Sequence, residues 1–197
     1  LNTLTTAPTA ADFGTVMETE PSGPDDDSPA SRDMVDAIKR HVADEAIKSA
    51  EESKELTVSS YISNPDQQQL EMFVPRLAEV EIEVLDCSYC LELRTPHLLL
   101  LALRSLSNLI SLDLMACNLA NEGAIIVGTA LGGGMSGAPS LESVCLRANR
   151  IRGEGASAIG GGAAKSTSLR KLDLSANPIG DIGLMRLVLG DPNQNTS

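Results

Sequence analysis

Few residues in this chain have the type and spacing to do chemistry, and each of them also fits a plainer role. Cys87-x-x-Cys90 has the spacing of zinc and thiol–disulfide sites. Its natural complement would be a second close pair, yet the other two cysteines, Cys117 and Cys145, are isolated from each other. Gly153-x-Gly155-x-x-Ala158 has the outline of a dinucleotide-binding turn, and Asp173 follows at a distance suited to a ribose. The glycine runs 132–134 and 160–162 do not continue into Gly-Lys-Ser/Thr, so neither reads as a phosphate loop. The two histidines, His41 and His97, accompany no Ser/His/Asp or Cys/His pattern of nucleophilic catalysis. These residues give no expectation of a catalytic, cofactor-binding or metal site.

An internal repeat accounts for most of them. Leu169, Leu172, Leu174, Asn177 and Ile179 define the spacing L-x-x-L-x-L-x-x-N-x-I. Leu141, Val144, Leu146, Asn149 and Ile151 repeat it, as do Leu109, Leu112, Leu114, Cys117 and Leu119. A weaker copy runs through Ile82, Leu85, Cys87 and Cys90. A glycine follows the last three copies at one fixed offset: Gly123, Gly155 and Gly183. At that place the first copy has Pro96 after Thr95, a natural helix start. Repeats of this length signal stacked supersecondary units. Within each unit, Leu-x-Leu alternates as a short strand with both leucines inward. A helix follows each glycine, packing inward through Ala124, Val127 and Leu131, then Ala156 and Ile159, then Leu184 and Leu187. In this register Gly155 is a repeat position, Cys87 is a core position, and Cys90 and Cys117 occupy the Asn/Cys turn. The glycine runs are expected to weaken helix ends, with a surface loop over 132–140.

Over residues 80–190 the sequence resembles a leucine-rich repeat array, and its period is similar to that of the ribonuclease-inhibitor-like class. The resemblance implies an α/β leucine-rich repeat solenoid of about four repeats, with short parallel strands on the concave face and helices on the convex face. It also implies that the Asn or Cys of each turn bonds buried backbone groups of neighbouring turns.

The chain has 197 residues and a net charge of −12. The charge is lopsided: residues 1–81 hold 6 Lys/Arg against 17 Asp/Glu, and the remainder is nearly balanced. Such acidity repels nucleic acid and anionic lipid. An aromatic content of 2% leaves little for base stacking. No apolar run approaches the length of a membrane span. Four cysteines do not suggest a secreted disulfide framework, so the expectation is an intracellular, cytoplasmic setting, with cytoskeletal or ciliary association open. Residues 1–30, rich in Thr, Ala, Pro and Asp, read as a disordered acidic segment. Residues 31–79 read as a helical linker or N-terminal cap. In it, Ser31 would cap a helix carrying Met34, Val35, Ile38, Val42 and Ala46 to about Glu55, and a second helix would span 66–74 and stop at Pro75. Residues 191–197 form a polar tail.

Strand alternation puts Val84, Asp86 and Ser88 on the concave face, then Ser111, Asp113 and Met115, then Ser143, Cys145 and Arg147, then Lys171, Asp173 and Ser175. The row Asp86–Asp113–Cys145–Asp173 is mostly acidic, while Arg147, Arg150, Arg152, Arg170 and Lys171 gather toward the C-terminal end. Such a surface suits a polar protein partner. The expected function is a non-enzymatic protein–protein interaction module, a scaffold or adaptor in a larger assembly, with no cofactor. The resemblance also admits a regulator of another enzyme, such as a Ran-type GTPase activator, or a tropomodulin-like actin-binding protein. No F-box pattern precedes the repeats.

Overall fold

The computed structural model describes residues 29–58, 76–77, 80–90, 103, 106–133 and 139–189, with side chains of the first helix described at 37 and from 39 onward. The acidic segment before residue 29, the helix expected over 66–74, the Thr95-Pro96 start, His97, most of the 132–140 loop and the polar tail lie outside them.

Helix α1 (Pro29–Ser53) begins two residues before Ser31, so Ser31 is a helical residue rather than the cap. It buries Ala43, Ala46, Ile47 and Ala50, a stripe at helical spacing. Strand β1 (Glu55–Thr57) follows directly. No strand was expected in this cap segment. It aligns with β2 (Val84–Asp86), pairing Leu56 with Leu85 in parallel. Lys54 supports the junction: its ammonium lies 2.9 Å from Glu83, and its carbonyl accepts the N–H groups of Glu83 and Val84.

The remaining strands are β3 (Ser111–Asp113), β4 (Ser143–Cys145) and β5 (Lys171–Asp173). The sheet order is β1-β2-β3-β4-β5, all parallel, with the inward residues Leu85, Leu112, Val144 and Leu172 in register. Helices α2 (Ala120–Leu131), α3 (Gly153–Lys165) and α4 (Gly180–Leu189) return the chain from each strand to the next or close the array. The three leucine-type positions of the second repeat, Leu109, Leu112 and Leu114, are fully buried, as are Leu141, Val144 and Leu146. Their equivalents Leu169, Leu172 and Leu174 are only half-buried, because no described strand covers β5.

Two sets of glycines have distinct tasks. The repeat glycine faces the apolar turn residue of its own unit: a Cβ would stand 2.6 Å from Leu119 at Gly123, 2.9 Å from Ile151 at Gly155, and 2.7 Å from Ile179 at Gly183. The second set joins helices. A Cβ on Gly162 would lie 1.9 Å from the Gly128 carbonyl oxygen, and one on Gly160 would lie 2.3 Å from the Leu187 carbonyl oxygen. Gly160 and Gly162 are therefore close-contact positions inside α3 rather than part of a weakened end, while Gly161 between them faces open space. Strands naturally sit about 4.8 Å apart and helices about 8–10 Å apart, so glycine-mediated approach of the helices reduces the mismatch that bends the array. Gly132 and Gly133, the latter at φ +75°, do terminate α2 as expected. Helix α3 starts without a side-chain cap of its own. Asn121 of α2 supplies one, its Oδ1 accepting the N–H groups of Arg152 and Gly155.

Candidate concave-face interaction site

The register aligns the outward side chains in rows. Asp86, Asp113, Cys145 and Asp173 lie side by side, and so do Val84, Ser111, Ser143 and Lys171. The β1 strand lengthens both rows with Thr57 and Glu55. Those two residues escape the sequence pattern because their strand matches the repeat only at Leu56 and Val58. The third row, Ser88, Met115, Arg147 and Ser175, stands where each strand turns. Backbone bonds continue across it: Tyr89 N–H to the Met115 carbonyl, Ala116 N–H to Arg147, and Ala148 N–H to Ser175.

The acidic row serves the scaffold as well as the surface. The Oδ1 atoms of Asp86, Asp113 and Asp173 accept the N–H groups of Ser88, Met115 and Ser175, each at 2.8 Å. These aspartates are thus turn caps, not merely solvated strand fillers. The turns they cap place Tyr89, Ala116 and Ala176 in the left-handed region, and Ala148 adopts it after Cys145. Cys145 fills the place of the missing aspartate. Burial pushes the Cys145 thiol above its ordinary value. It is half-buried, whereas Cys87, Cys90 and Cys117 are buried. Asp173 titrates below its ordinary value, first because the Ser175 side chain bonds it, then through the Ser175 N–H and the nearby Arg147 charge. The acidic row therefore ends beside Arg147, and Arg147, Arg150, Arg152, Arg170 and Lys171 are all exposed.

Behind this face, the Asn/Cys turn positions knit successive repeats. The Asn149 side chain donates to the Leu114 carbonyl at 2.7 Å and accepts the Leu119 N–H at 3.2 Å. Asn177 accepts the N–H groups of Asn149 and Ile151 and donates to the Leu146 carbonyl. Cys117, at the same position, donates to the Cys87 carbonyl at 3.0 Å. Burial raises its thiol to about 12. The Cys87 thiol is raised by its bond with Cys90, then by burial. Among the described residues, no group of three His, Cys, Asp or Glu side chains is arranged to hold a metal ion. The Gly153–Gly155 turn packs against Ile151, Asn121 and Gly183, and Asp173 caps its own strand's turn. No helix among the described residues is long and apolar enough to cross a membrane.

Parallel strands in repeat register, helices behind them and an Asn/Cys ladder between turns define an α/β leucine-rich repeat solenoid. The leucine-rich repeat family model matches residues 105–125 and 165–188, covering the strand–turn segments around β3 and β5. No curated protein matches the chain. Leucine-rich repeat domains generally mediate protein–protein interaction, and the family is typically non-enzymatic.

Proposed function

We propose that this chain is a non-enzymatic interaction module, a scaffold or adaptor subunit of an intracellular assembly, that grips a protein partner with its concave face. The observation that carries this reading is the alignment of outward side chains from successive strands into continuous polar rows. The partner is expected to present a polar surface of mixed charge, with basic groups toward Asp86 and Asp113 and acidic groups toward Arg147 and Lys171. Three buried free thiols fit a reducing compartment. The ribonuclease-inhibitor-like subclass is part of the same proposal, supported by helix-length second halves of the repeats.

The test is a paired affinity capture from source cells with the full-length protein and with an Asp113→Asn/Arg147→Glu/Asp173→Asn variant. Asparagine keeps an oxygen for the turn cap while removing the charge, and circular dichroism verifies that both baits fold. Loss of a partner from the variant alone supports the concave face. Identical partners on two folded baits refute it. A GTPase among the lost partners, with hydrolysis accelerated by the wild-type chain, would favour the regulator reading instead, in which Arg147 and Arg150 are the candidate contacts. The left-handed φ of Arg150 does not single it out, since Asn118 shares it at the same repeat position.

A further inference from the structure

The turn that leaves β4 concentrates positive charge on a rigid loop. Along it Leu146, Asn149 and Ile151 are buried, while Arg147, Arg150 and Arg152 are exposed. The backbone between them is held from both sides. The carbonyls of Arg147 and Asn149 accept the N–H groups of Ala116 and Ala120 from the preceding repeat. The N–H groups of Asn149 and Ile151 donate to Asn177 of the following repeat, and Arg152 N–H donates to Asn121. The loop is therefore shaped before anything binds, which lowers the ordering cost of binding there. Its charges are not used by the fold. Arg170 pairs with Glu142 and Lys54 with Glu83, but Arg147, Arg150 and Arg152 enter no ion pair among the described residues. The same positions hold Met115, Asn118 and Ala120 in the preceding repeat and Ser175, Pro178 and Gly180 in the following one. None of the six is charged, so the repeat does not demand arginine there. Of the nearby carboxylates, Asp173 accepts Ser175 N–H and Glu154 accepts the Asn121 side chain. Cys145 stands where an aspartate would add a carboxylate to the same strand.

We propose that the turn carrying Arg147, Arg150 and Arg152 binds a short acidic segment of a protein partner. The carboxylate or phosphoryl oxygens of that segment accept hydrogen bonds from the guanidinium groups, whose planar forks match both oxyanions. The net charge of −12 limits the length of the anion. A long polyanion, such as nucleic acid or an anionic membrane surface, meets the repulsion of the whole chain. A short segment meets the local field, because charges beyond about 10 Å are largely screened at physiological salt. This inference rests on the interaction-module reading and adds the class of partner and a contact surface beyond the strands. Arg150 and Arg152 lie past the concave rows, so its fate is separable from that of the rows.

The test is fluorescence anisotropy of labelled peptides titrated with the 197-residue chain. The probes are a short Glu-rich peptide, its phosphoserine counterpart and its Gln-rich counterpart. One or both anionic peptides should bind, more weakly as salt rises, and the Gln-rich peptide should not. The tighter of the two anionic peptides identifies the oxyanion. Arg150→Asn and Arg152→Gln should each weaken binding about two- to fivefold. Combining them with Arg147→Gln should abolish it. Asparagine suits position 150, since Asn118 adopts the same left-handed backbone in the preceding repeat, and circular dichroism verifies folding. Arg170→Gln, which removes a charge already paired with Glu142, should leave binding unchanged. The proposal is overturned if neither anionic peptide binds, if binding survives the triple variant, or if Arg170→Gln weakens it as much as the other changes. A DNA oligonucleotide bound more tightly than either peptide through the same arginines also overturns it, in favour of nucleic acid. Peptide binding at Arg150 and Arg152 with partner capture unchanged by the concave-face variant refutes the concave-face reading alone. Capture lost in that variant with no peptide bound refutes the present inference alone.

Discussion

Replacing Asn149 by alanine removes a side chain with no exposed surface and three hydrogen bonds. The Arg147 carbonyl loses one donor, but it stands on an exposed turn where water can replace it. The Leu119 N–H and Leu114 carbonyl belong to buried residues and have no such substitute. Stranding a buried polar group costs about 1–3 kcal/mol. The expected loss is therefore about 2–6 kcal/mol, a large share of the roughly 5–15 kcal/mol that holds a domain together. Asn149→Cys should fall between wild type and alanine. Cysteine already serves at the equivalent Cys117, where its thiol reaches a carbonyl at 3.0 Å, so it can keep the carbonyl satisfied while leaving the Leu119 N–H bare. Urea unfolding followed by far-ultraviolet circular dichroism measures the ranking, since the chain has no tryptophan to report by fluorescence. Hydrogen exchange at the Leu119 amide gives a local check, with protection lost in both variants. An alanine variant within about 1 kcal/mol of wild type, well below the cost of two stranded groups, would refute the ladder as a source of stability.

Adjacent glycines in α3 should respond oppositely to alanine. Gly161 has open space at its Cβ position, so Gly161→Ala should stabilise by about 0.8–1 kcal/mol through helix propensity. Gly162→Ala must push α2 from α3 and should destabilise by about 1–3 kcal/mol or more; equal effects in thermal unfolding would contradict the close approach. The pH dependence of stability should carry a Cys117 component. Its thiol ionises at about 12 when folded against an ordinary value of 9.0, so its contribution is full below pH 9 and is lost as pH rises toward 12. The wild-type urea midpoint should therefore fall more steeply over that alkaline range than that of Cys117→Asn, and parallel curves would remove Cys117 from the account.

The repeat was legible because its signals are local and recur. Leu109, Leu141 and Leu169 head the same pattern, and each inward leucine is demanded by its own strand. The rows on the concave face followed from alternation alone. Strand β1 was not legible because it preserves only Leu56 and Val58 of the pattern and has Ser53 where an apolar residue should stand. The glycines of α3 misled because helix propensity is a property of one helix, whereas Gly160 and Gly162 answer to Leu187 and Gly128 on neighbouring helices. The fixed Gly123, Gly155 and Gly183 were visible as a period, but their cause, the apolar turn residue four positions earlier, needed the fold. The aspartates were seen as surface charge, and their second task as turn caps depends on an N–H two residues on that only the folded turn presents.

That second task bears on where selectivity for a partner can reside. An Asp in the central row supports its own turn, so replacing it perturbs the strand end along with the surface charge. The flanking rows are less constrained. Val84, Ser111, Ser143 and Lys171 change from apolar to hydroxyl to cationic along the sheet, and Ser88, Met115, Arg147 and Ser175 vary as widely. No Asx-type bond ties those side chains to a turn in the way that Asp86, Asp113 and Asp173 are tied. On the proposed concave-face reading, the acidic row would be a common electrostatic background, and discrimination between partners would fall to the two rows beside it. Cys145 is the one break in that background. It lowers the negative charge at the point where Arg147 begins the basic group, and so sets the boundary between the two ends of the face.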